Sequence, residues 1–186
     1  MPPLTLDGTT GVSAVQTGAV ESGDLPAGSV IQVVSTTKTD TFSTTQSESN
    51  IAVPGLSVNI TPTSASNEIL LIGVVMMSSE NRYAYWSFYR DGVDIAIGDA
   101  SGNRTSVTAS NSSNQNNTAY EEIAHQVASH FLDSPATTSA VNYEINVGMA
   151  YEFLKTIYVN RQPNDGNNFV SNVRGISTLT AMEIAG

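Results

Sequence analysis

The sequence predicts an all-β fold, an antiparallel sandwich or barrel, and three observations carry that expectation. Apolar residues make up 40% of the chain and fall in short runs that alternate with Ser, Thr and Asn. That is the period-two pattern of half-buried strands. Turn formers such as Pro54-Gly55, Asp91-Gly92 and Pro163-Asn164-Asp165-Gly166 separate the runs, each suited to a reversal of the chain. Roughly eight to ten strands joined by polar turns call for two packed layers. A chain of 186 residues buries about 70% of its unfolded surface, enough to fold without a staple.

The elements follow in order. Residues 1–27 hold scattered apolar side chains with no sustained period, so they read as an extended arm that orders against another surface. Residues 28–186 read as the β domain. Val30 to Val34 is apolar on both faces and is expected to be a central strand. Thr41-Phe42-Ser43-Thr44 reads as a short or edge strand. Leu56, Val58 and Ile60 point inward from an alternating strand after Pro54-Gly55. Ile69 to Met77 is the longest apolar run, interrupted by Gly73, and reads as a buried strand. Tyr83, Tyr85, Ser87 and Tyr89 alternate with Trp86 and Phe88. Asp91-Gly92 then turns a hairpin completed by Val93, Ile95 and Ile97. Ser110 to Asn117 is a loop. Over Tyr120 to Phe131, periodicity alone leans towards a helix. Val141 to Met149, Thr156 to Asn160 and Ile176 to Ile184 close the chain as strands. Phe131 and Met182 are expected in the core or at an interface, beside Val127 and Ile184.

Composition narrows the function classes. The net charge is −10 with only 7 Lys and Arg, thinly spread, which argues against a phosphate-binding surface and a nucleic-acid partner. No run approaches the ~18 apolar residues of a membrane span, and the first residues lack a signal-peptide pattern, so no membrane partner is expected. There is no Cys, which removes thiol catalysis and Cys-ligated zinc. His125 and His130, five apart, face opposite sides of a strand and are no metal pair. Asp91, Asp94 and Asp99 lack the spacing of a calcium loop. Glu121 and Glu122 point apart on an extended chain and are no glycosidase pair. No nucleophile elbow or phosphate loop is present. The expectation is no catalytic residue, no cofactor, no metal and no enzyme activity.

The aromatic set is the one recognition feature. Trp86 and Phe88 share a face, most simply the core. Tyr83, Tyr85 and Tyr89 lie opposite, at a subunit interface or on a glycan-binding surface.

A resemblance enters on an ordered series of segments. These are Gly28-Ser29-Val30-Ile31-Gln32-Val33-Val34 with Thr36 to Ser43, Gly55-Leu56-Ser57-Val58-Asn59-Ile60-Thr61-Pro62, Arg90-Asp91-Gly92 with Ile97 to Thr105, Phe131-Leu132-Asp133-Ser134-Pro135, and Arg174 to Gly186. Over most of residues 28–186 the series resembles virion structural and fibre-type proteins of tailed bacteriophages, notably marine and cyanobacterial ones. The resemblance implies a C-terminal, jelly-roll-like, trimeric β domain, and a strand over Tyr120 to Phe131. It implies a virion location after synthesis in the host cytoplasm. Fibres of this kind often carry a long shaft; the short arm here favours a capsid decoration (cement) or short head-fibre protein over a tail-fibre tip that binds receptor or glycan. The implied partners are copies of the chain itself, other virion proteins such as the major capsid protein, and, in the alternative, a host surface glycan. Leu4, Leu6, Val12, Val15, Val20 and Leu25 are spaced to fill shallow pockets on a partner, so the arm is expected to anchor the protein to the particle.

Overall fold

The computed structural model describes residues 24–46, 50–80, 83–111, 123–150, 155–167, 170 and 172–186. The strands are β1 (Val30–Lys38), β2 (Phe42–Gln46), β3 (Ile51–Ile60), β4 (Glu68–Ser79), β5 (Ala84–Arg90), β6 (Val93–Ile95), β7 (Ala109–Ser110), β8 (His125–Asp133), β9 (Val141–Met149), β10 (Lys155–Val159) and β11 (Ser177–Ile184). Every pairing between them is antiparallel.

Register resolves these segments into eight staves. On one side of β4, β11 pairs with Glu68 to Val74 and β10 with Met77 to Ser79, end to end. β8 takes the other side. β1 and β2 lie in line beyond β11 and β10. In the second sheet β3 pairs β9, β9 pairs β5, and β6 and β7 share the far edge of β5. Counted in chain order, the first sheet runs first, eighth, third, sixth. The second runs second, seventh, fourth, fifth. That is the arrangement of an eight-stave jelly roll, so the predicted antiparallel sandwich is observed.

The inner faces explain why these residues make these strands. Ile69, Leu71, Val75 and Met77 of β4 face Leu56, Val58 and Ile60 of β3, Trp86 and Phe88 of β5, and Tyr143, Ile145 and Val147 of β9 in one buried cluster. Trp86 and Phe88 meet edge to face, centroids 5.0 Å apart at 87°, a favoured aromatic geometry. Gly73, which interrupts the longest apolar run, sits beneath them. A Cβ there would lie 2.8 Å from Trp86 and 2.9 Å from Phe88. The Asp91-Gly92 hairpin forms as expected, with φ of 49° and 82° and Arg90 opposite Val93, the two left-handed residues of a type I′ turn.

Three buried polar knots hold the staves. Asn160, where β10 gives way to β11, has φ of 62°. Its amide donates to the carbonyls of Lys38 and Asp40 and accepts from Ser177. Glu183 on β11 accepts from Gln32, Asn67 and both the backbone and hydroxyl of Thr63. Burial alone would raise its pKa, but these hydrogen bonds hold the carboxyl below the ordinary glutamate value by favouring its charged form. Asp133 on β8 accepts from Arg90 and from the Tyr143 hydroxyl, 2.6 Å away, linking the two sheets. Burial, and then that bond to a carboxylate, push the Tyr143 hydroxyl upward in pKa.

Several expectations are corrected. The helical lean over Tyr120 to Phe131 fails where described: residues 125–133 are strand β8, and its period survives only because apolar Val127 and Phe131 are also one strand face. Residues 112–122, including Glu121 and Glu122, lie outside the described set. β1 is an edge strand, not a central one. The Asp-Gly hairpin stops at Ile95, because Ala96 has φ of 55°, which an extended strand does not allow. Phe131 faces inward against the core. Met182 is not in the core: the inward residues of β11 are Leu179, Ala181 and Glu183, and Met182 stands partly buried on the outer face, which leaves the interface half of its expectation.

Candidate functional site

Two surfaces stand out, one on each sheet. The first is the outer face of the β4 sheet. Register aligns Val33, Met182, Leu70 and Leu132 as one row across four strands. Ile72, Val74 and Met76 continue it along β4, all partly buried. Val33 is 54% and Leu132 45% exposed. Polar members of this face include Ser35, Thr37, Thr178, Thr180, Gln126 and His130; carboxylates sit at its two ends, Glu68 at the start of β4, accepting from Ser134, and Glu80 just past its other end, accepting from the Tyr158 hydroxyl. This explains why β1 and β4 read as apolar on both sides. Among the described residues, no other strand packs across these second faces.

The outer face of the β5 sheet is different. It carries Ser57, Asn59, Asn142, Glu144, Ser87 and Asp94, the usual wet side of an antiparallel sheet. At one end of it lies the second surface, a cleft of about 330 Å³ between the start of β5 and the loop from Gly98 to Val107. The loop is built locally. The Gly98 amide donates to the Val107 carbonyl, and the Arg104 amide to the Ser101 carbonyl across a turn, with Gly102 at φ of 61°. Thr108 fixes it to β5, donating from its amide to the Ser87 hydroxyl and accepting from the Phe88 amide.

The structure brings together two of the three sequence-selected tyrosines. Tyr83 and Tyr85 line the cleft with Asn103, Arg104, Thr105 and Ser110. Tyr83 is 44% exposed. Tyr85 is only 3% exposed because its ring lies over Gly148; a Cβ there would come within 2.5 Å of it. Tyr89 lies elsewhere on β5, opposite Glu144 and Asp94. Burial, with help from Asp94, raises its pKa. Sequence reasoning missed Asn103 and Arg104 as companions of the tyrosines, since 18 or more positions separate them and only tertiary folding closes the gap.

The Arg104 guanidinium is oriented by two bonds from one nitrogen, to the Ser101 carbonyl and hydroxyl. It has no carboxylate partner among the described residues. By contrast Lys38 pairs with Asp40, Arg90 with Asp133, and Arg161 and Arg174 with Asp165.

Of the arm residues, Leu4, Leu6, Val12, Val15 and Val20 lie outside the described set. Leu25 is exposed and borders a smaller cleft of about 270 Å³ with Asn67 and Gly186. The chain joins the sheet there, through bonds from Gly28 to Ala185 and from Ala185 to Ser29. His125 and His130 fall on opposite faces of β8, both exposed. No cluster of three or more His, Asp or Glu occurs among the described residues.

No protein-family profile matches the chain, and no curated protein does. Among solved structures it is similar to a structure of infectious bursal disease virus Gt strain, with TM-score 0.39 and 14% identity over 100% of this chain and 43% of that one. It is likewise similar to the crystal structure of the infectious bursal disease virus VP2 subviral particle, with TM-score 0.38 and 13% identity over 100% and 42%. The chain thus spans less than half the length of those proteins. A likeness this distant carries no functional argument.

Proposed function

We propose that the chain is a structural component of a bacteriophage particle, a homotrimeric decoration or short head-fibre protein. The sequence resemblance supplies the setting and the trimeric stoichiometry. The observation that carries the assembly reading is the middle of the outer β4 face, where the apolar row holds no carboxylate among the described residues. Copies with a net charge of −10 repel one another over most of their surface, and that repulsion is least where carboxylates are absent. Four strands about 4.8 Å apart and seven or eight residues at ~3.3 Å each make a face on the order of 500 Å² in projection. That is the order of the ~800 Å² a standard interface takes from each partner. Residues 1–27 are proposed to hold the trimer on the virion surface through other virion proteins such as the major capsid protein.

Sedimentation equilibrium tests the assembly. The expected mass is near three times 19.6 kDa, and Leu70→Asp, placed in the apolar row, should give folded monomer. A monomeric parent protein at micromolar concentration defeats the reading. Deleting residues 1–24 tests the arm: the β domain should fold and assemble but no longer decorate particles. Decoration at full occupancy by the truncated chain refutes anchoring.

A further inference from the structure

We propose that the cleft beside Tyr83 and Tyr85 binds a saccharide bearing a carboxylate, a uronic or sialic acid residue of a surface glycan. Its volume of about 330 Å³ sits at the small end of the ~300–1,000 Å³ range of ligand sites, which suits one terminal sugar rather than a long chain. The half-exposed Tyr83 ring offers an apolar plate of the kind on which a sugar's C–H face packs. The exposed Asn103 amide and Thr105 hydroxyl supply donors and acceptors for ring hydroxyls.

Arg104 selects the acid. One guanidinium nitrogen is held by Ser101, which leaves the other edge of the fork for a bidentate carboxylate contact. An arginine without a carboxylate partner among the described residues, in a chain with 17 Asp and Glu, offers its positive charge to a ligand. The cleft also lies on the outer side of the β5 sheet, opposite the apolar face of the β4 sheet. Covering that face therefore does not by itself cover the cleft, and the inference stands independently of the assembly reading.

Saturation-transfer NMR on the full chain tests it. The probes are methyl glucuronide and N-acetylneuraminic acid, with methyl glucoside as the neutral control and acetate as competitor. The expected result is transfer to the ring protons of the acidic sugars, with weak transfer to the glucoside. Arg104→Gln should weaken acidic-sugar binding roughly tenfold or more, the size of one lost charge-assisted contact, and Tyr83→Ala should weaken it by a similar factor through the lost stacking plate. Tyr89→Phe, outside the cleft, should leave it unchanged. Arg104 is exposed and outside every strand, so its variant should melt as the parent does. No transfer to either acidic sugar at high millimolar concentration overturns the proposal. Equal transfer to the glucoside overturns the role of the carboxylate. Displacement by acetate as effective as by the sugar acid itself overturns the saccharide, and unchanged binding by Arg104→Gln overturns the site.

Discussion

Asn160 offers a sharp test of how the staves are joined. It is fully buried, and its side chain spans three elements. Its amide nitrogen donates to the Lys38 and Asp40 carbonyls at 2.9 Å each, and its oxygen accepts from Ser177 at 2.6 Å. Its backbone is left-handed, φ 62°, which asparagine tolerates and alanine does not. Asn160→Ala removes all three side-chain bonds at once. The Lys38 carbonyl and Ser177 hydroxyl are buried and lose a partner, while Asp40 lies near water. Counting about 1–1.5 kcal/mol for each lost bond, with the solvent-reachable one discounted, gives about 3 kcal/mol. The left-handed backbone adds about 1 kcal/mol. The expected loss is about 4 kcal/mol, a large share of the ~5–15 kcal/mol of a typical domain. Asn160→Gly keeps the backbone comfortable and should cost about 1 kcal/mol less than alanine. Asn160→Asp turns a carboxylate towards two carbonyls and should be the worst of the three. Urea unfolding read by Trp86 fluorescence measures all of them, with the m-value held constant as the check on two-state behaviour. An alanine variant within 1 kcal/mol of the parent, or a glycine variant less stable than alanine, would refute the reasoning.

Other expectations follow from the same packing. Gly73→Ala drives a methyl group into Trp86 and Phe88 and should cost about 1–3 kcal/mol by overpacking, with a shift in Trp86 emission; an unchanged spectrum and midpoint would show that the aromatic pair does not sit over Gly73. Phe131→Ala, on the inner face of edge strand β8 and only partly buried, should cost about 2 kcal/mol, below the ~3–5 kcal/mol of a fully buried phenylalanine. No change in the urea midpoint would place Phe131 on the other face. Glu183 titrates below its ordinary value of 4.5, so the unfolded chain takes up its proton first as pH falls. Its stabilisation is therefore fully present above that value and is lost as pH drops through the folded pKa. Glu183→Gln puts an amide where four donors converge; it should lower stability at pH 7 by about 2 kcal/mol and flatten the acid limb of the stability curve. An acid limb identical to the parent's would show that Glu183 is not a contributor.

Much of the fold was legible before the structure because a strand's period is local. Leu56-Val58-Ile60, Tyr85-Trp86-Ser87-Phe88 and Val141 to Met149 each announce two faces by alternation, and Asp91-Gly92 announces its turn by the backbone it needs. The candidate site was legible only by half. The tyrosines showed as a face, but nothing local ties them to Asn103 and Arg104.

What the sequence determined by itself was the class of structure and the chemistry it lacks: strands, turns, an antiparallel sandwich or barrel, an acidic chain with no cysteine. What only the tertiary structure decided was which apolar faces are core. β1, β4 and β11 all carry two apolar faces or an ambiguous one, and periodicity cannot say which side meets the second sheet. Long-range register decides it: pairing Leu70 with Met182 and Leu132 turns Leu71, Leu179 and Phe131 inward, and leaves Val33, Met182, Leu70 and Leu132 as a row outside. A one-residue slip would exchange the two sets. Pairings between residues more than sixty positions apart are paid for in chain entropy and held by interlocking side chains, and neither term is written in a local run of sequence.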